Sequence, residues 1–254
     1  MDDATLARLE HENMHAWMAV SFPQVPGALV RHEAGVGVYA TGLPVPLFNQ
    51  VVTDDDATEA SARAAVGELR ARGAPFAVVL RRDRDARFEP LMVELGLRRS
   101  EHPLPGMALE PIPTDLPTTA AGLEIQVVHD ATALRDHALV AARSFGVAEP
   151  VALAIIGEGL WRRPGATVYT GYAEGRPVAC GYSVRSGATL GIFTIATVPE
   201  ARTRGFGAAM TGRLARDGAA AGCELVTLQA SDMGRPIYER MGFRVVQEYD
   251  LFVG

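Results

Sequence analysis

The stretch GIFTIATVPEARTRGFGAAM, residues 191–210, constrains this chain more than any other. An apolar run that stops at a Pro-Glu turn reads as a buried strand. Directly after it, Arg202 and Arg204 crowd against Gly205 and Gly207, where a helix begins. Phe206, Met210 and Leu214 recur every four residues and give that helix a core face, with Arg213, Arg216 and Asp217 outward. Arginine is costly to order and glycine costly to fix. A helix start offers unpaired N–H groups and the positive end of the helix dipole. The segment therefore reads as a cradle for a phosphate or pyrophosphate.

Three phosphate-binding patterns compete for it. A P-loop needs a lysine after its glycines, and all 24 basic residues here are arginine. A dinucleotide fingerprint needs a third glycine, where this chain has Met210, and it opens a βαβ unit instead of following several strands. The pattern R-x-x-G-x-G fits, as Arg202, Gly205 and Gly207 after an apolar strand.

The rest of the second half reads as follows. GLEIQVV (122–128) is a strand, and Asp130 caps a helix to about Ser144. A shorter helix starts near Pro150, and three strands with turns at AEGR and RSGA lead into the cradle. CELVTLQA is a buried strand, GRPIYERMGF a short helix closed at Gly242, and RVVQEYDLFV a last strand or hairpin. The Pro- and Thr-rich segment 113–121 is the expected linker. Before it, GAPFAVVLRRDRDARFEPLMVELGLRRS repeats the pattern of GCELVTLQASDMGRPIYERMGFRVVQ. With Gly96 set on Gly242, Pro90 meets Pro236 and Met92 meets Tyr238, which reads as an old duplication.

The cradle resembles the acyl-CoA loop of the GNAT superfamily of N-acetyltransferases. TVPEARTRGFGAAM looks like that family's strand four, turn and helix three, and YERMGF (238–243) like its motif after strand five. The resemblance runs from about Gly122 to Gly254 and implies an α+β fold. Two GNAT-like domains are expected, each a mixed, mostly antiparallel twisted sheet flanked by helices: 1–112, degenerate, and 122–254, active. The implied activity is transfer of an acetyl group from acetyl-CoA to an amine that attacks the thioester directly. The implied cofactor site is the N–H groups from Arg202 through Thr203, Arg204, Gly205, Phe206 and Gly207 to Ala208. Ile195, Ala196 and Thr197 would pair with the pantetheine arm, and one N–H there would polarise the thioester carbonyl. Tyr238 matches the tyrosine that protonates the departing thiolate. Ser231 stands where many members carry an asparagine touching the cofactor, and Thr203 where glycine is frequent.

No carboxylate lies on strand four. Glu149 and Glu158, in the segment that shapes the acceptor pocket of that family, are the candidates for general base, with Glu158 preferred. Phe145, Trp161 and Tyr182 are pocket or core aromatics. Cys180 and Cys223 sit in apolar strands and read as buried, and His129 and His137 as exposed or capping. In the first half, Asp54, Asp55 and Asp56 stand before the equivalent helix and would repel a pyrophosphate. No metal is expected. A net charge of −6 argues against nucleic acid and membrane partners and leaves a small-molecule or peptide amine as acceptor. The absence of a signal-like apolar run points to the cytoplasm. Homodimerisation stays open, as does the alternative of a non-catalytic acyl-CoA sensor or interaction module.

Overall fold

Residues 36–40, 49–53 and 77–81 are buried at every position, both sides of the pleat included. Strands without a wet face must be covered by helices above and below. The computed structural model, which describes residues 1–157 and 159–254, shows that cover. In chain order the elements are α1 (Asp3–Ser21), β1 (Leu29–Glu33), β2 (Val36–Ala40), β3 (Asn49–Thr53), α2 (Glu59–Ala71), β4 (Ala77–Arg81), α3 (Glu89–Glu94), β5 (Arg98–Arg99) and β6 (Leu104–Leu109). There follow β7 (Glu124–Val127), α4 (Ala131–Phe145), α5 (Glu149–Ile156), β8 (Ala166–Ala173), β9 (Arg176–Ser186), β10 (Thr189–Thr197), α6 (Phe206–Ala220), β11 (Leu225–Gln229), α7 (Arg235–Arg240) and β12 (Arg244–Val253).

The strands form a single mixed sheet in the order β1-β2-β3-β4-β12-β6-β11-β10-β9-β8-β7, with β5 against β12. Two separate sheets were expected, and the strand order explains the difference. The strand before the linker, β6, crosses to pair with β11, while β12 crosses back to pair with β4. β6 and β12 then pair with each other. This exchange gives β4 and β11 partners and leaves no exposed edge where the halves meet. On either side of the seam the same sequence of elements recurs: an antiparallel hairpin, a strand, a helix, and a parallel strand beside it.

Side-chain alternation sorts the helices onto two faces. Met14 and Met18 of α1, Leu134 of α4 and Ile155 of α5 share a cluster with Tyr39, Val52, Val79 and Tyr182. Ala62, Ala65, Val66 and Leu69 of α2 pack on Val38, Val51, Val78 and Leu80, the alternate positions. α6 lies on that second face too, since a Cβ at Gly181 would meet Met210 and Leu214. The 113–121 segment contains neither helix nor strand, yet it is no free tether. Any side chain at Gly212 on α6 would collide with the Pro117 carbonyl, and the Arg216 guanidinium donates to Thr118 Oγ1 at 2.5 Å.

Candidate active site

The site begins where two parallel strands part. β10 and β11 pair only at Thr189–Leu225, Leu190–Val226 and Gly191–Thr227. Beyond that point β10 stays with β9 as far as Thr197, and β11 stays with β6 as far as Gln229. A bulge between Phe193 and Ala196, with Thr194 at φ 56°, bends β10 away. The result is a V-shaped gap in the sheet. The edge of β10 carrying Ile195, Ala196 and Thr197 has no strand across from it among the described residues. An extended ligand arm fits such an edge as an added strand would.

The chain leaving β10 makes the cradle. A single turn at Pro199–Ala201 is closed by the Ala201 N–H on the Val198 carbonyl at 2.9 Å. Arg202 folds back, its Nε donating to the Thr197 carbonyl at 3.2 Å, and its own N–H donates to the Pro199 carbonyl at 3.4 Å. Thr203 and Gly205 then adopt left-handed conformations, at φ 64° and 79°. A threonine is strained there, which is the physical reason a glycine would suit that position better. Among the described residues no side chain caps α6. Among the described residues the N–H groups of residues 203–208 donate to no protein acceptor, and Ala209 makes the first helical bond, to the Gly205 carbonyl at 3.0 Å. Space outside Gly207 is open: a Cβ there would meet only Thr197 Oγ1, at 3.9 Å. Arg204 lies exposed over the Phe206 ring, 4.6 Å from its centroid. The cradle thus combines free donors, positive charge and room. Arg202 contributes its side-chain charge, since its N–H is already bonded.

Tyr238 stands on α7 beside this helix start. It is 8% exposed, and burial pushes its phenol up to about 12, opposed in part by the Thr211 hydroxyl. Thr211 in turn donates to the Gly207 carbonyl at 2.9 Å. The tyrosine therefore keeps its proton at neutral pH, with Thr211 near its phenol. Ser231 is exposed in the turn before α7, where its hydroxyl accepts from the Gly234 N–H at 3.2 Å. Glu158 lies outside the described residues. Glu149 is exposed in the first turn of α5.

Several expected residues have other surroundings. Tyr182 is core: its hydroxyl takes the Trp17 indole N–H and lies 3.4 Å from Ser21 Oγ. Phe145 is 55% exposed, and Trp161 stacks under Arg162 at 4.5 Å. Cys180 and Cys223 are buried, and burial raises both thiols, as suits packing and not nucleophilic work. His129 is exposed, but His137 is neither exposed nor a cap. It is fully buried against the sheet, its Nδ1 2.9 Å from the Tyr169 carbonyl, and burial lowers its pKa to about 4. Helical phase explains the correction, because His137 falls on the same face of α4 as Leu134 and Ala141.

The role of α1 is not legible in its own residues. Trp17 stacks on Phe193 at the β10 bulge, with centroids 4.9 Å apart. Asn13 sits over Gly191, where any side chain would collide with its Oδ1. Glu10 sits over Gly106 and takes a bond from Gln229 at the end of β11. The helix from one half thus roofs the gap in the other. The available signal was glycine within strands, which marks close approach by another element.

The corresponding junction of the first half, from β3 into α2, is closed. Thr58 and Ser61 form a reciprocal capping box over the start of α2. Met92, aligned with Tyr238, is wholly buried. Asp55 is tied to Arg81 at 2.8 Å and Arg84 at 3.0 Å, and Asp54 to three histidines.

Comparison with known proteins bears on this geometry. Residues 164–245 match the acetyltransferase (GNAT) domain family, a span that runs from just before β8 into β12 and contains gap, cradle and Tyr238. A GCN5-related N-acetyltransferase from Kribbella flavida superposes with a TM-score of 0.70 at 17% identity, over 98% of this chain and 95% of that one. The fold is the GNAT fold. A GCN5-related N-acetyltransferase from Sphaerobacter thermophilus gives 0.64 at 13% identity, covering 95% and 93% of the two chains. A tandem GNAT protein from the clavulanic acid biosynthesis pathway gives 0.63 at 11%, covering 96% and 94%. No curated protein matches the chain. No helix among the described residues is long and apolar enough to cross a membrane.

Proposed function

We propose that the protein transfers an acetyl group from acetyl-CoA to an amine acceptor, a small molecule or a peptide. The observation that carries this reading is the open junction between β10 and α6. A parted strand pair leads into six consecutive free N–H groups beside two arginines. In this reading the N–H groups of Thr203, Arg204, Gly205, Phe206, Gly207 and Ala208, with the Arg202 and Arg204 charges, hold the pyrophosphate. The free edge at Ile195, Ala196 and Thr197 takes the pantetheine, and an N–H there stabilises the oxyanion that forms when the amine attacks. Such a donor is worth about 3 kcal/mol. Tyr238, protonated at neutral pH, gives its proton to the departing sulfur. The acid role rests on the family resemblance together with the burial of Tyr238, which keeps the phenol protonated. Glu158 is kept as the proposed base on its place in the sequence, and Ser231 as a hydroxyl near the cofactor.

The same reading takes residues 1–112 as a second GNAT-like unit whose cofactor site is lost, 113–121 as the connection, and 122–254 as the active unit. The recurring order of elements and the likeness to a tandem GNAT protein support it. Calorimetric titration with acetyl-CoA tests both parts. One site per chain is expected, lost in Gly207→Glu. Two sites would restore function to the first half, and no binding would remove the proposal. Binding without turnover on a broad amine panel would leave a sensor.

A further inference from the structure

The first half carries a cluster that acetyl transfer does not use. Residues 11–15 read HENMH, the H-E-x-x-H spacing that sets two histidines on one face of a helix. They lie on α1, and both imidazoles turn toward Asp54, at the end of β3. His11 Nε2 is 2.9 Å and His15 Nε2 3.2 Å from the same oxygen, Asp54 Oδ1, and the two Nε2 atoms are 3.3 Å apart. Donors around a tetrahedral zinc ion at 2.0–2.1 Å stand about 3.3 Å from one another. His32 Nε2 holds the other carboxylate oxygen at 2.5 Å.

The outer nitrogens are fixed as well. His15 Nδ1 lies 2.7 Å from the buried Tyr39 hydroxyl, and His11 Nδ1 lies 3.1 Å from the buried Tyr249 hydroxyl. Tyr249 donates its only proton to Glu10, at 2.5 Å. With that proton directed at Glu10, His11 Nδ1 is placed to donate to the Tyr249 oxygen, which turns the Nε2 lone pair inward. That lone pair faces a carboxylate oxygen and a second imidazole nitrogen. Such a convergence calls for a cation at its centre. Polar groups that fix each ring through its outer nitrogen are the usual support of a metal-ligating histidine.

We infer that His11, His15 and Asp54 bind a divalent transition metal, Zn²⁺ by ligand type, with His32 orienting the Asp54 carboxylate. The fourth position opens on a pocket of about 420 Å³ whose walls include Arg8, Glu12, Arg81 and Arg84. These arginines do not oppose the ion. Arg81 is paired with Asp85 and Asp55, Arg84 with Asp55, and Arg8 with Glu12. Nitrogen and carboxylate donors in a tetrahedral set select zinc over calcium or magnesium.

The test uses the full chain, stripped with chelator and titrated with Zn²⁺, then with Co²⁺ as a spectroscopic substitute. One equivalent per chain and the visible bands of tetrahedral cobalt are expected. His15→Ala and Asp54→Ala, with helicity checked by circular dichroism, should each weaken binding by at least about a hundredfold, and His32→Ala by about ten- to a hundredfold. His102→Ala, at the exposed pair with Asp232, should change nothing. Should the buried variants fail to fold, anomalous scattering at the zinc edge from a soaked wild-type crystal decides, with a peak between His11, His15 and Asp54 expected. No uptake by the folded wild-type chain, a peak elsewhere, or equal loss in His102→Ala overturns the site and leaves a cluster bridged by protons alone.

Discussion

Two strand-to-helix junctions occupy the same place in the repeated order of elements, and they are built oppositely. Between β10 and α6 the helix starts on Gly205 at φ 79°, without a capping side chain, and residues 203–208 keep their N–H groups free. Between β3 and α2 the helix starts on Thr58, whose side chain and that of Ser61 satisfy the backbone reciprocally. The capping box occupies the N–H groups of Thr58 and Ser61, so this helix start offers a phosphate fewer free donors. One left bare costs stability until a ligand arrives. The charges follow the same division, with arginines at the first junction and three aspartates at the second. One architecture can therefore hold an anion at one junction and, by our inference, a cation at the other. The difference lies in about ten residues at each.

The sharpest way to break this contrast is Gly207→Glu. A carboxylate in the first turn suits the helix dipole, so the folded protein should hold its stability or gain about 0.3–1 kcal/mol. The same charge about 4 Å from a pyrophosphate costs on the order of 4 kcal/mol, close to a thousandfold in acetyl-CoA affinity. Melting temperature and calorimetry read the two signs separately. Loss of both together would mean that the glycine serves packing, although a Cβ at this position meets nothing closer than 3.9 Å.

The histidines divide in the same way. His11 and His15 face a carboxylate, whereas His137 is buried with only a carbonyl for a partner. Its folded pKa is lowered from 6.5 to about 4. The unfolded chain therefore binds the extra proton first, and stability is lost as pH falls from 6.5 towards 4. The loss assignable to this ring is about 3 kcal/mol. Urea unfolding of wild type and His137→Gln across that range measures it. Parallel curves would show that water already reaches the ring.

Much of the second half was legible because its signals are local. The apolar strand, the glycines and arginines of the loop, and YERMGF each declare a strand, a helix start or a short helix from adjacent residues. What was hidden depends on partners far apart in sequence. The exchange of β6 and β12 cannot be read from either strand, since neither LPGMAL nor RVVQEYDLFV names its partner strand. Trp17 on Phe193 and Asn13 on Gly191 join residues more than 170 positions apart. HENMH was readable as a spacing, but only the fold brings Asp54 to it. His137 was misplaced because Arg135 and Asp136 before it are polar, while Leu134 and Ala141, one turn away on the same helix face, are not.

Tyr238→Phe sharpens the contrast at the level of chemistry, since the equivalent position of the first half is the inert Met92. With any amine that supports turnover, kcat should fall about a hundredfold with KM nearly unchanged. Undiminished kcat would make Tyr238 a packing aromatic beside Phe243, 5.7 Å away.

The smallest effect is expected from opening the closed junction. Thr58→Ala removes one half of the capping box and should cost about 1 kcal/mol. The freed N–H groups should still bind no acetyl-CoA. Asp55 and Asp56 stand just before them, and no arginine in that loop replaces Arg202 or Arg204. A second acetyl-CoA site appearing in this variant would mean that the cap alone had closed the junction. The hydroxyl of Thr58, and not the charge of the neighbouring aspartates, would then be what keeps acetyl-CoA from this junction.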